Sequence, residues 1–178
     1  MFESALIVEV PEAEATVERW RSMLDPVSGV GIPAHVTVLY PFLERVSEKA
    51  LDGIRDIASL VPAFSFSLAS VARWPSVVYL PPTPMEPFLD LTRRCLTRWP
   101  NLQPYGGSFD DIVPHLTVAH EKNGPIDDEL ANAIIDDVAT HLPIDSMATN
   151  VSLWVTDGGS WTAHTTFPLG DGDALTEP

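Results

Sequence analysis

Pro114-His115-Leu116-Thr117-Val118 and, 80 residues upstream, Pro33-Ala34-His35-Val36-Thr37-Val38 carry the same His-apolar-Thr-Val string. Each reads as a short β-strand. Successive strand side chains point to opposite faces at about 3.3 Å per residue, so the His and the Thr two places on share a face, roughly 7 Å apart. Val36, Val38, Leu116 and Val118 fill the other face and anchor the strand, leaving the polar set for a cleft. One His-x-Thr match in a chain with five histidines would mean little, and a third match, His164-Thr165-Thr166, lacks the apolar frame. The signal is two framed copies, each with a proline just upstream.

Self-similarity at a fixed offset marks a repeated architecture, and the 80-residue shift holds beyond the strings. Ser47 to Leu60 has apolar residues at Leu51, Ile54, Ile57 and Ala58; Asp127 to His141 has them at Leu130, Ile134, Ile135 and Val138. Both are helical periods, with Ser47 and Asp127 as N-caps. Phe64 to Leu68 then matches Ile144 to Val151, and Val77 to Leu80 matches Trp161 to Phe167. The order strand, helix, strand, strand therefore occurs twice, near 35–80 and 115–167.

Composition limits the functions open to such a chain. No apolar run approaches the roughly 18 residues of a membrane helix, and Met1-Phe2-Glu3 does not begin a secretory signal, so a soluble, cytoplasmic protein without membrane contact is expected. Cys95 is the sole cysteine, which excludes an internal disulfide, and its position on a helical apolar stripe reads as core. The net charge of -15 argues against a wide footprint on long nucleic acid, which requires many Lys and Arg. A local site for one or two phosphates is compatible with it.

Around the strings, Phe2 to Val10 reads as a strand, Pro11 to Leu24 as a helix with Trp20 in the core, and 25–33 as a loop delivering His35. Tyr40-Pro41-Phe42 places two aromatics beside the first string, where an aromatic face can stack on a base. Arg73-Trp74-Pro75 reads as a hairpin turn whose Trp74 is a stacking lid or a plug. Pro81-Pro82-Thr83-Pro84 separates the halves. A helix over 85–99 buries Phe88, Leu91, Cys95 and Trp99 and sets Arg93, Arg94 and Arg98 on its solvated side. Pro104-Tyr105-Gly106-Gly107 reads as a turn.

Two histidines on related strands form an acid/base pair, because an imidazole titrates near neutrality and one can be neutral while the other is protonated. A phosphate between them fits: the neutral His35 or His115 takes a proton from the attacking oxygen, the protonated one gives a proton to the leaving oxygen, and Thr37 and Thr117 donate to non-bridging oxygens. This scheme needs neither cofactor nor metal. A metal centre from His115, His120, Asp110 and Asp111 would leave His35 and Thr37 without a role.

The twin strings resemble the His-x-Thr-x motifs of the 2H phosphoesterase superfamily, and Leu39-Tyr40-Pro41-Phe42 resembles its bacterial 2'-5' RNA ligase-like, cyclic phosphodiesterase branch. The resemblance implies an α+β, bilobal, pseudo-two-fold fold of two ferredoxin-like lobes whose antiparallel sheets flank a central cleft. One intertwined domain over residues 1–170 would be followed by a flexible acidic tail, 171–178. It further implies metal-independent opening of 2',3'-cyclic phosphates on a small nucleotide or short RNA end, in an RNA-processing role. His35 and His115 are then catalytic, and Thr37, Thr117, Tyr40, Phe42, Trp74 and His120 bind substrate. His120 stands where several relatives have an arginine. A cation that weakens as pH rises is expected there, unless Arg73, Arg93, Arg94 or Arg98 substitutes, and strict alternation points His120 away from the His115 face. A monomer is expected. The alternative reading is a non-catalytic nucleotide- or phosphate-binding module of the same fold.

Overall fold

The computed structural model describes residues 2–107, 111–122 and 125–171. Its strands are β1 (Glu3–Glu9), β2 (His35–Leu39), β3 (Phe64–Leu68), β4 (Ala72–Trp74), β5 (Val77–Leu80), β6 (Pro82–Thr83), β7 (Leu116–His120), β8 (Ile144–Ala148), β9 (Asn150–Thr156) and β10 (Thr162–Pro168). The helices are α1 (Glu14–Leu24), α2 (Glu48–Ser59), α3 (Glu86–Arg98) and α4 (Asp128–Ala139). Of the tail anticipated at 171–178, residues 172–178 lie outside the described residues, as does Asp110.

The strands form a seven-stranded sheet, β10-β9-β1-β2-β7-β5-β4, and a three-stranded sheet, β6-β3-β8. All named strand pairs are antiparallel. The fold is thus the antiparallel α+β, two-lobed arrangement that the resemblance implied. Its two-fold relation runs between β2 and β7, which meet at Val36 and Leu116, and between β3 and β8, where Phe66 faces Ser146. The helix caps form as read: the Ser47 hydroxyl accepts from Ala50 N–H, and the Asp127 carboxylate accepts from Glu129 and Leu130 N–H.

The repeat is offset from its sequence reading. Beside β7 lies β5, and beside β2 lies β1, so the counterpart of Val77–Leu80 is β1, not Trp161 to Phe167. Ile144 to Val151 is likewise not one strand but β8 and the start of β9, divided at Thr149. Each half then runs strand, helix, His strand, helix, strand, strand, with β6 and β10 added to the second. The first helix of each half crosses over: α1 packs on β7, and α3 packs on β2. Within α3, buried Thr92 donates from its hydroxyl to Val38 O at 2.8 Å. Trp20 Nε1 donates to Asp137 Oδ2 at 2.6 Å, tying α1 to α4.

The main core lies between the helices and one face of the large sheet, containing Leu6, Val8, Val36, Val38, Leu116, Val118, Phe88 and Leu91. Burying such side chains contributes on the order of 1.5–3 kcal/mol each. The opposite sheet face carries a smaller cluster of Ala5, Ile7 and Ile32, bordered by Tyr40, Trp154 and Trp161. That second face holds the candidate site.

Candidate active site

Antiparallel pairing about Val36 and Leu116 sets His35 toward Thr117 and Thr37 toward His115. Each histidine therefore has its own Thr along its strand and the other half's Thr across from it. The two histidines are diagonal neighbours, separated by on the order of 7–8 Å in regular strand geometry.

The rings are held in the same way. His35 Nδ1 lies 2.7 Å from Pro33 O, and His115 Nδ1 lies 2.7 Å from Val113 O. A carbonyl only accepts, so Nδ1 carries the proton in both neutral rings and Nε2 keeps its lone pair. The proline before each string thus leads a short turn whose carbonyl, or that of the residue before it, orients the imidazole. Burial pushes His35 down to about 4, offset in part by the Pro33 bond and reinforced by the charges of Arg21 and His115. Burial also lowers His115, with the Val113 bond opposing and the His120 charge adding to the fall.

The loop before His35 is fastened from behind. Arg21 is 2% exposed and pairs through Nε with Asp25 Oδ2 at 3.1 Å. Its Nη2 donates to Ile32 O at 3.1 Å. The Glu14 carboxylate accepts from Ala34 N–H. One buried guanidinium thereby clamps both ends of residues 25–32.

His120 differs from its expectation for a geometric reason. Thr117 pairs with Tyr79 and His120 with Val77, with a register shift between Val78 and Tyr79. A bulge adds one residue to the longer side and breaks the two-residue alternation. Val118 and Ala119 are consequently both buried, and His120 turns back to the face of Thr117. The arginines proposed as substitutes are engaged elsewhere. Arg73 pairs with Asp128 at 2.7 Å, Arg93 with Glu86 at 3.0 Å and Arg94 with Asp90 at 2.8 Å. The Arg98 guanidinium lies over the Trp99 ring.

The aromatic expectations divide. Trp74 lies at the end of β4, ahead of the turn, stacked on Tyr79 with centroids 4.1 Å apart and edge-to-face with His115 at 4.9 Å. It is a wall of the site. Tyr40 lies on the site face, where its hydroxyl donates to Glu3 Oε2 at 2.6 Å, and burial with this bond pushes it up to about 12. Phe42 is corrected: it is 3% exposed and packs edge-to-face on Trp99 at 4.9 Å. It belongs to the core and offers no face to a ligand.

Two residues of the site were not singled out in the sequence. Tyr79 lies 5.4 Å from His115, centroid to centroid. Tyr105 lies nearly parallel to the His115 ring at 6.4 Å, shares a hydrogen bond with Thr37, and donates from its backbone N to Tyr40 O at 2.6 Å. It bridges the Thr of one half to the His of the other. Its φ is 51°, followed by Gly106 at 65° and Gly107 at 77°. Left-handed backbone costs a non-glycine residue on the order of 1 kcal/mol; the glycines let the chain complete the turn, and the Pro-Tyr-Gly-Gly string was its only sequence trace. Among the described residues no group of three or more His, Cys, Asp or Glu is arranged to hold a metal ion.

An antiparallel two-lobed sheet with one histidine from each half at its pseudo-two-fold defines a class of fold and site together. The 2'-5' RNA ligase superfamily matches residues 9–160, and the chain belongs to this superfamily of 2H phosphoesterases and ligase-like enzymes. Escherichia coli LigT, solved in complex with 3'-AMP, is similar at 17% identity, TM-score 0.57, covering 94% of this chain and 97% of LigT. The LigT complex with NADP+ gives 18% identity, TM-score 0.56 and the same coverage. TT0787 of Thermus thermophilus gives 18% identity and TM-score 0.59, covering 96% of this chain and 99% of that one. No curated protein matches in sequence. Among the described residues no helix is long and apolar enough to cross a membrane.

Proposed function

We propose that the protein is a metal-independent phosphoesterase that opens 2',3'-cyclic phosphates of a small nucleotide or short RNA end, with His35 and His115 as acid and base. The observation that carries this reading is the matched pair of Nδ1-to-carbonyl bonds, which leaves the Nε2 lone pair of each ring uncommitted to these bonds, on two strands whose His and Thr residues share one face. One neutral imidazole takes a proton from water through Nε2 as the water oxygen attacks phosphorus. The other, protonated, gives its Nε2 proton to the departing ribose oxygen, so the ring opens to a phosphomonoester. Thr37 and Thr117 hydrogen-bond the non-bridging oxygens, where charge accumulates in the transition state.

Burial disfavours the imidazolium and so favours two neutral rings. A phosphate anion between them restores the charged form of one. Catalysis thus draws its acid from the encounter with substrate. None of the ten Lys and Arg residues lies on β1, β2, β5, β7, β9 or β10, which suits one small phosphate group over an extended backbone.

The test is hydrolysis of 2',3'-cyclic nucleotides with chelator present, resolving 2'- from 3'-phosphate product. Wild type turns over, and His35→Ala and His115→Ala each lose about 10²-fold or more, the usual worth of a general acid or base. Binding without turnover in wild type would convert the reading to the non-catalytic module.

A further inference from the structure

The half of the site face made by β1 and β9 carries a carboxylate that the acid/base scheme does not use. In the ladder Glu9 lies opposite His35, and Ile7 opposite Thr37, so Glu9 is on the site face, one strand from the phosphate position. Across β1 on its other side, Trp154 lies opposite Ala5. Trp154 Nε1 donates to Glu9 Oε1 at 3.0 Å. The two side chains therefore reach toward each other along the sheet over Ile7. Trp154 is half-buried and Glu9 exposed.

A carboxylate this near a phosphate site repels the phosphate, a cost that a favourable contact with another part of the ligand would offset. No Lys or Arg lies on β1, β2, β9 or β10 to neutralise it. The indole N–H is a single donor, whereas a carboxylate has two oxygens and about four acceptor positions. Glu9 is thus oriented by Trp154 and retains acceptor capacity. Strand spacing sets β9 about 10 Å from β2, a span comparable to that from a ribose phosphate to the far edge of its base.

Resting on the phosphoesterase reading above, we infer that Glu9 and Trp154 form a base-reading subsite that selects guanine: the Trp154 ring stacks on the base while Glu9 accepts from its N–H edge. Guanine presents an imino and an amino donor side by side, matching two carboxylate lone pairs. Adenine and cytosine present one amino group. Uracil presents one imino donor between two carbonyl oxygens, which a carboxylate repels. Glu9 is a specificity-determining residue in this scheme, not a participant in proton transfer.

The experiment is calorimetric binding of guanosine 3'-monophosphate and uridine 3'-monophosphate to wild type, Glu9→Gln and Trp154→Phe. Wild type binds the guanosine ligand about tenfold or more tightly than the uridine ligand, the usual discrimination of a two-bond base contact. In Glu9→Gln that ratio falls toward one, and in Trp154→Phe, where the orienting bond is gone, it narrows. A wild-type ratio within twofold, an unchanged ratio in Glu9→Gln, or absence of binding overturns the inference. These ligands need no turnover, so discrimination without hydrolysis would remove the catalytic reading alone. Hydrolysis dependent on both histidines with no discrimination would remove the guanine subsite alone.

Discussion

His35 is neutral when buried and its conjugate acid is disfavoured to about 4, whereas a solvated histidine in the unfolded chain titrates near 6.5. Between those values the unfolded chain binds more protons than the folded one, so stability rises with pH across this window. Stability is therefore lost as pH falls from about 6.5 to about 4, and urea midpoints at pH 7 and pH 4.5 should differ less in His35→Ala than in wild type. The same depression predicts that kcat/KM, which reports the free enzyme, peaks on the acid side of pH 6.5. A maximum at pH 8 would contradict it. Tyr105→Phe removes the Thr37 partner while keeping the ring over His115; a lost neutral hydrogen bond is worth about 1 kcal/mol, and turnover of a cyclic nucleotide should fall roughly fivefold. At this scale His35, Thr37, His115 and Thr117 were legible because a strand repeats every two residues. Tyr105 was not, because its role arises when a loop returns to Tyr40 from 65 residues away. Phe42 was misread because a proline between two aromatics does not say which of them turns inward.

Elements, more than residues, decide where His120 and His35 point. The bulge of β7 depends on its pairing with β5, a partner some 40 residues distant in sequence, so no local pattern could show that two consecutive residues, Val118 and Ala119, are both core. Caps and helix faces, set within a few residues, were legible for the opposite reason. The loop ahead of His35 rests on Arg21, whose guanidinium is buried with Asp25. Removing one member of a buried ion pair strands the other and costs about 3–5 kcal/mol. Arg21→Met should accordingly lower the unfolding free energy by roughly 3 kcal/mol in urea denaturation and reduce catalysis at temperatures where the chain is still folded. A change under about 0.5 kcal/mol, typical of a surface substitution, would show that the clamp does not hold the loop.

The whole molecule closes its second half onto its first at Gly170, beyond β10. Gly170 N donates to Val61 O at 2.8 Å, and Ala63 N donates to Gly170 O at 2.9 Å. A Cβ at Gly170 would meet Ser59 O at 2.3 Å, closer than such atoms approach, so Gly170→Ala must displace backbone and should lower the thermal midpoint by several degrees, about 1–3 kcal/mol of overpacking. The 80-residue repeat was visible because the His strands, α2 and α4, and β3 and β8 keep one spacing. The correspondence of β1 with β5 was hidden because their spacing is different and the neighbours that each strand pairs with are set only when the sheet is assembled.

The exchange of α1 and α3 between halves has a consequence for the chain as two pieces. A fragment ending in the Pro81-Pro84 stretch would own His35 but lack α3, which covers its strand; the remaining fragment would own His115 but lack α1. Neither could bury its own histidine strand. Mixed, each would supply the other's missing cover, so activity would appear as a bimolecular event, with an initial rate of reconstitution proportional to the product of the two fragment concentrations and zero for either fragment alone.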